Sequence, residues 1–214
     1  MYVYLYDNFL KEKRYQGVVK AIETRLTDFG IAGKIIRLMN LTNAESIVED
    51  EIKKGAATVV IVGDDGTFAR VLSRAATCQV LYGFIPIGAN NSIAQVLGIP
   101  EGEAACDVLA RRRQMELVVC NLQPYRWQRR KGEDYVVHPQ DGKLEAFLRP
   151  VVRRGLLRRD QFEEPSIFPF EEMVVSSKTP FVVEADGKSS KETRITIKLA
   201  KSRIEMVVGK ERKF

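Results

Sequence analysis

Apolar residues run together in two short blocks, Val59–Val62 and Phe84–Ile87, with no polar position between them. Uninterrupted blocks of this length predict strands buried on both faces. Around them the period changes. Val18, Val19, Ile22 and Leu26 share one face of a helix over Gln16–Phe29, which Gly30 ends. Ala44–Lys54, Phe68–Ala76, Ile93–Leu97 and Glu103–Arg112 read as further helices, and Tyr2–Tyr6 and Gly33–Met39 as further strands. Strand and helix alternate through the first 120 residues, which predicts a parallel sheet with helices on both faces. Gln114–Leu122 reads as a strand leading out of this unit.

From about Gln123 the alternation of element types stops. Short stretches of alternating polarity take over: Tyr135–His138, Glu172–Ser176, Phe181–Ala185, Arg194–Leu199 and Arg203–Val208. Asp-Gly pairs and prolines separate them, which predicts antiparallel β structure, with Arg203–Val208 as the second arm of a hairpin. Lys143–Leu157 reads as a helix broken by Pro150. The expected division is an α/β domain over residues 1–120 and a smaller β domain over 121–214.

Composition changes this picture little. The 214 residues are 45% hydrophobic, enough for a packed core, and 34 Lys and Arg against 28 Asp and Glu give +6. That modest excess suits a phosphate ligand or an acidic surface. Three cysteines without metal-ligand spacing predict a reduced, intracellular chain. No apolar run approaches the ~18 residues of a membrane span. His138 is the single histidine, which excludes a histidine cluster as metal site or proton relay.

The chemistry concentrates where the two apolar blocks end. Val62 is followed by Gly63-Asp64-Asp65-Gly66-Thr67, and Ile87 by Gly88-Ala89-Asn90-Asn91-Ser92. A buried strand, a glycine loop and a helix N-terminus in that order make a phosphate site, because free N–H groups and the helix dipole favour an anion. Ligands of open α/β sheets bind at the carboxyl ends of strands. Each loop alone also suits an ordinary strand-to-helix turn.

These two motifs resemble the catalytic domain of the diacylglycerol kinases and bacterial lipid kinases, a superfamily related to the NAD kinases. The family pattern Gly-Gly-Asp-Gly-Thr stands here as residues 63–67, with Asp64 in place of its second glycine. Its Pro-Leu-Gly-Thr-x-Asn-Asp-Phe-Ala stands as Pro86–Ala94, with Ala89 for the threonine and Ser92 for the aspartate. Leu97-Gly98-Ile99-Pro100, Asp141-Gly142-Lys143-Leu144 and Glu184-Ala185-Asp186-Gly187-Lys188 extend the likeness over most of the chain. The resemblance implies a β-sandwich as second domain, shortened here because no Gly-x-Gly-Phe-Asp-Ala motif follows Asn121.

It further implies an ATP-dependent transfer of phosphate to a lipid alcohol such as diacylglycerol. ATP would be held by Asn8, Thr42, Gly63, Asp64, Gly66, Thr67, Gly88, Ala89 and Asn91. Asp65 would place Mg²⁺, and Asp186 is the nearest surviving carboxylate for a general base, although Asp-Gly before Lys-Ser-Ser reads first as turn chemistry. The family's glutamate base is Lys188 here, and a protonated lysine cannot take an alcohol's proton. Thr42 suits a helix cap as well as a nucleotide contact. Asp64 puts a like charge beside phosphate, a cost of about 1–4 kcal/mol at ~4 Å. Ala89 forgoes one hydrogen bond, about 0.5–1.5 kcal/mol. A non-catalytic nucleotide- or lipid-binding member is therefore the alternative, and an NAD kinase the third reading.

The basic stretches Arg126–Lys131 and Arg149–Arg159 suit anionic lipid headgroups or a solvated face, and no nucleic-acid motif accompanies them. The expected setting is the cytoplasm, with peripheral contact at the inner membrane face. Uncovered edge strands are compatible with a homodimer.

Overall fold

The computed structural model describes residues 1–39, 44–112, 114–117, 126–127, 135–136, 138, 140–148, 151–154, 159–162, 166–185, 188–201 and 203–213. Its first half alternates as the periodicity predicts: β1 (Tyr2–Asp7), α1 (Gln16–Asp28), β2 (Lys34–Leu38), α2 (Ala44–Lys53), β3 (Thr58–Gly63), α3 (Asp65–Ala75), β4 (Leu81–Pro86), α4 (Ser92–Val96), α5 (Ala105–Arg111) and β5 (Gln114–Leu117). The rest is β6 (Arg126–Trp127), β7 (Tyr135–Val136), β8 (Leu144–Leu148), β9 (Val151–Arg154), β10 (Arg159–Phe162), β11 (Ser166–Phe170), β12 (Glu172–Ala185), β13 (Lys188–Lys198) and β14 (Ile204–Val207).

The main sheet has the order β2-β1-β3-β4-β14-β5. β2, β1, β3, β4 and β14 run parallel, and β5 lies antiparallel to β14 at the edge. β3 and β4 are buried at every position, as strands covered on both faces must be. The crossover through α1 moves outward from β1 to β2, and that through α3 moves inward from β3 to β4. Right-handed connections therefore put the two helices on opposite faces. α2 and α4 pack with α3, and α5 packs with α1. β6–β13 form four two-stranded antiparallel sheets, β6 with β7, β8 with β11, β9 with β10, and β12 with β13.

Two expectations are corrected. Arg203–Val208 is not the arm of a hairpin: β14 leaves the antiparallel region and enters the α/β sheet between β4 and β5. Ile204, Met206, Val207 and Val208 are buried there, and β13 pairs with β12 instead. The described residues within 143–157 form not a helix but the strands β8 and β9. Leu144 and Ala146 are buried in β8 with half-buried Glu145 between them, a strand's alternation, and β-branched Val151 and Val152 follow Pro150.

Candidate functional site

The carboxyl ends of β1, β3 and β4 meet at the two glycine loops. The first loop is shorter than its sequence suggests. β3 ends at Gly63 and α3 begins at Asp65, so Asp64 alone connects them. Asp64 is the N-cap of α3: its Oδ1 accepts the Thr67 N–H at 2.8 Å and lies 2.9 Å from Thr67 Oγ1. A side chain with a cap of this kind starts the helix at once, which is why α3 begins three residues before Phe68. Gly63 must be glycine, because a Cβ there would stand 2.6 Å from Thr67 Oγ1.

The second loop is held against the first by hydrogen bonds across the sheet end. Ile87 N–H donates to Gly63 O at 2.8 Å, and Asp65 N–H donates to Asn90 O at 2.9 Å. Asp65 extends the connection. Its Oδ2 accepts Ser92 N–H at 2.7 Å and Ser92 Oγ–H at 2.6 Å, and Ile93 N–H lies 3.1 Å from both oxygens. The carboxylate of one loop thus caps the helix that follows the other. Gly88 has φ +126°, and a Cβ on it would stand 3.1 Å from Asp64 Cβ and 3.4 Å from the Phe9 ring. Phe9 therefore packs over the Gly88 turn.

Asp7 ends β1 and closes the cluster, though sequence reasoning passed over it. It is buried; Oδ1 accepts Phe9 N–H at 3.1 Å, and Oδ2 accepts from Thr67 Oγ1 at 2.7 Å and Arg70 Nη2 at 3.1 Å. Thr67 has one hydroxyl proton, so it donates to Asp7 or to Asp64 at a given moment. Arg70, half exposed on α3, is the cation of the site. It too went unnoticed. Its signal in the sequence is its place one helical turn after Gly66, on the face that carries Thr67.

The remaining candidates fall as follows. Asn91 is buried; its Nδ2 donates to Gly88 O at 3.2 Å, and its Oδ1 has no hydrogen-bond partner. Asn8 and Ala89 are exposed beside the cluster. Thr42 and Asp186 lie outside the described residues. Lys188 opens β13.

The carboxylates present do not fit a resident Mg²⁺. Asp65 is committed to the start of α4, Asp64 to the start of α3, and Asp7 to Thr67 and Arg70. Among the described residues no three His, Cys, Asp or Glu side chains gather to hold an ion.

The family model of the diacylglycerol kinase catalytic domain matches residues 6–122, which contain both loops. Solved structures share the fold at low identity. One is a diacylglycerol kinase from Bacillus anthracis str. Sterne, 15% identical, covering 97% of both chains with a TM-score of 0.69. Another from that organism, described as a "putative diacylglycerol kinase", is 13% identical with the same coverage and a TM-score of 0.66. No curated protein matches the chain.

Proposed function

The chain belongs to the diacylglycerol kinase catalytic-domain family, and from that premise we propose that it binds ATP across the loops 63–67 and 88–91 and transfers phosphate to a lipid alcohol. The observation that carries this reading is the latch between the loops. Asp65 and the two backbone bonds hold two glycine turns side by side at the carboxyl ends of β3 and β4, where ligands of such sheets bind. Phosphoryl transfer asks mainly for positioning and for neutralisation of charge. Gly66 is exposed and leaves its backbone open to phosphate. Arg70 supplies positive charge beside the loop. No step is assigned to Mg²⁺, because the described carboxylates are engaged elsewhere.

A specific observation favours a second reading, a member that holds nucleotide without efficient transfer. The Asp64 carboxylate already takes the Thr67 N–H at the start of α3, a donor that a phosphate would otherwise use. Lys188 also stands where a base is wanted.

The deciding experiment is transfer from labelled ATP to mixed micelles of diacylglycerol, monoacylglycerol, ceramide and undecaprenol, with NAD as acceptor in a parallel tube, each run with Mg²⁺ and with EDTA. A labelled lipid establishes the kinase. ATP binding by calorimetry with no labelled product establishes the second reading, and neither binding nor transfer removes both.

A further inference from the structure

A cavity of about 320 Å³ lies on the other face of the sheet, lined by Leu10, Lys11, Gln16, Val19, Lys20, Glu23 and Arg37. Successive residues of β1 separate it from the candidate site. Asp7 turns toward Thr67 and Arg70 of α3, and Tyr6 turns the other way, toward α1 and Arg37. Three cations from three elements line this cavity: Lys11 after β1, Lys20 on α1 and Arg37 on β2. Lys20, Arg37 and Glu23 have no ion-pair partner among the described residues, and Lys11 reaches only Met39 Sδ, at 3.3 Å. Glu23 is the single carboxylate in the lining, so a net charge of about +2 faces the space.

Tyr6 gives the second observation. It is fully buried, and its hydroxyl has no hydrogen-bond partner. The Arg37 guanidinium stands 5.8 Å from its ring centroid. Burial and then the nearby Glu23 carboxylate raise the phenol's pKa, so it remains a neutral donor. The ring steadies the Arg37 head group at the wall of the cavity.

We propose that this cavity is a second ligand site, selective for a phosphate monoester, with Arg37, Lys20 and Lys11 around the dianion and the Tyr6 ring holding Arg37 in place. A phosphate dianion offsets the net charge, and its several oxygens suit donors arriving from separate elements. The volume, roughly ten waters' worth, exceeds inorganic phosphate and fits a small phosphorylated molecule or a lipid headgroup. The site does not depend on the kinase reading. It touches the 3-10 turn Asn8–Lys11, whose Phe9 packs on Gly88, so its ligand steadies the wall of the nucleotide loops.

The test is calorimetric titration with glycerol 3-phosphate at low salt, beside sedimentation with phosphatidylcholine vesicles with and without phosphatidate. Saturating binding that falls about tenfold or more in Arg37→Gln and in Lys20→Gln, with ATP affinity retained, supports the site. Binding of the soluble ester alone assigns a free metabolite; sedimentation with phosphatidate that Arg37→Gln abolishes assigns a headgroup. No binding in either arm overturns the proposal, as does binding indifferent to Arg37 and Lys20 in variants whose unfolding midpoints match the parent.

Discussion

A single carboxylate decides how open the first glycine loop is to phosphate. Asp64 stands where the family pattern has glycine, and it lies on the Thr67 N–H at 2.8 Å. Returning glycine should cost the α3 cap only a few tenths of a kcal/mol while removing a negative charge beside the loop. ATP affinity of Asp64→Gly, read by calorimetry, should therefore rise about fivefold or more. An unchanged affinity would mean that Arg70 already neutralises the carboxylate. Glu51 is a second residue whose charge matters, here for stability. Its Oε1 accepts Lys34 Nζ at 2.6 Å and Lys54 Nζ at 3.0 Å, in a side chain only 4% exposed. These hydrogen bonds lower its pKa below the ordinary value. A depressed carboxyl stabilises the fold above its unfolded pKa and loses that contribution as pH falls through the folded one. Glu51→Gln should thus cost about 1–2 kcal/mol near pH 7, and urea melts of parent and variant should converge as the pH drops below 4.5.

At the scale of elements, Asp65 joins two helices rather than serving one loop. Its carboxylate collects Ser92 N–H, Ser92 Oγ–H and Ile93 N–H, so the first residue of α3 caps the start of α4. Asp65→Asn keeps the shape and removes the charge. Stability should fall by about 1–3 kcal/mol, with faster hydrogen exchange confined to residues 88–93. Lost transfer with unchanged exchange would instead place Asp65 in the chemistry.

The elements themselves were legible wherever two signals agreed. Uninterrupted apolar blocks bounded by glycine loops predict β3 and β4, and faces of Val, Ile and Leu closed by Gly30 and Gly55 predict α1 and α2. Where signals competed, the reading failed. Lys143–Leu157 mixes helix-forming Lys, Glu and Leu with Pro150 and a Val pair, and strand pairing with β10 and β11 overrides propensity. In the site, the glycines and Asp65 are visible as motif. Asp7 and Arg70 are not, since they meet across 63 positions of sequence, and no local period reports such a contact.

At the scale of the whole molecule, residues 204–213 return to the α/β sheet, which makes the site depend on residues far from it in sequence. β14 fills the sheet between β4 and β5, and the chain beyond it is bonded to the end of α4. Gly209 N–H donates to Leu97 O, and Lys213 N–H to Val96 O, both at 2.9 Å. A Cβ on Gly209 would fall 1.6 Å from Gly98 O, which belongs to the turn that ends α4. That clash is with backbone, so it cannot be relieved by moving a side chain. Gly209→Ala should therefore lower stability by about 3 kcal/mol or more. It should also weaken ATP binding, because the same short helix α4 is fixed at its other end by Asp65 in the candidate site. Had residues 204–213 merely closed a peripheral hairpin, the substitution would leave the α/β unit untouched. Amide exchange of residues 81–97 separates the two cases: faster exchange in Gly209→Ala ties the last strand to the site, and parental protection there would detach it.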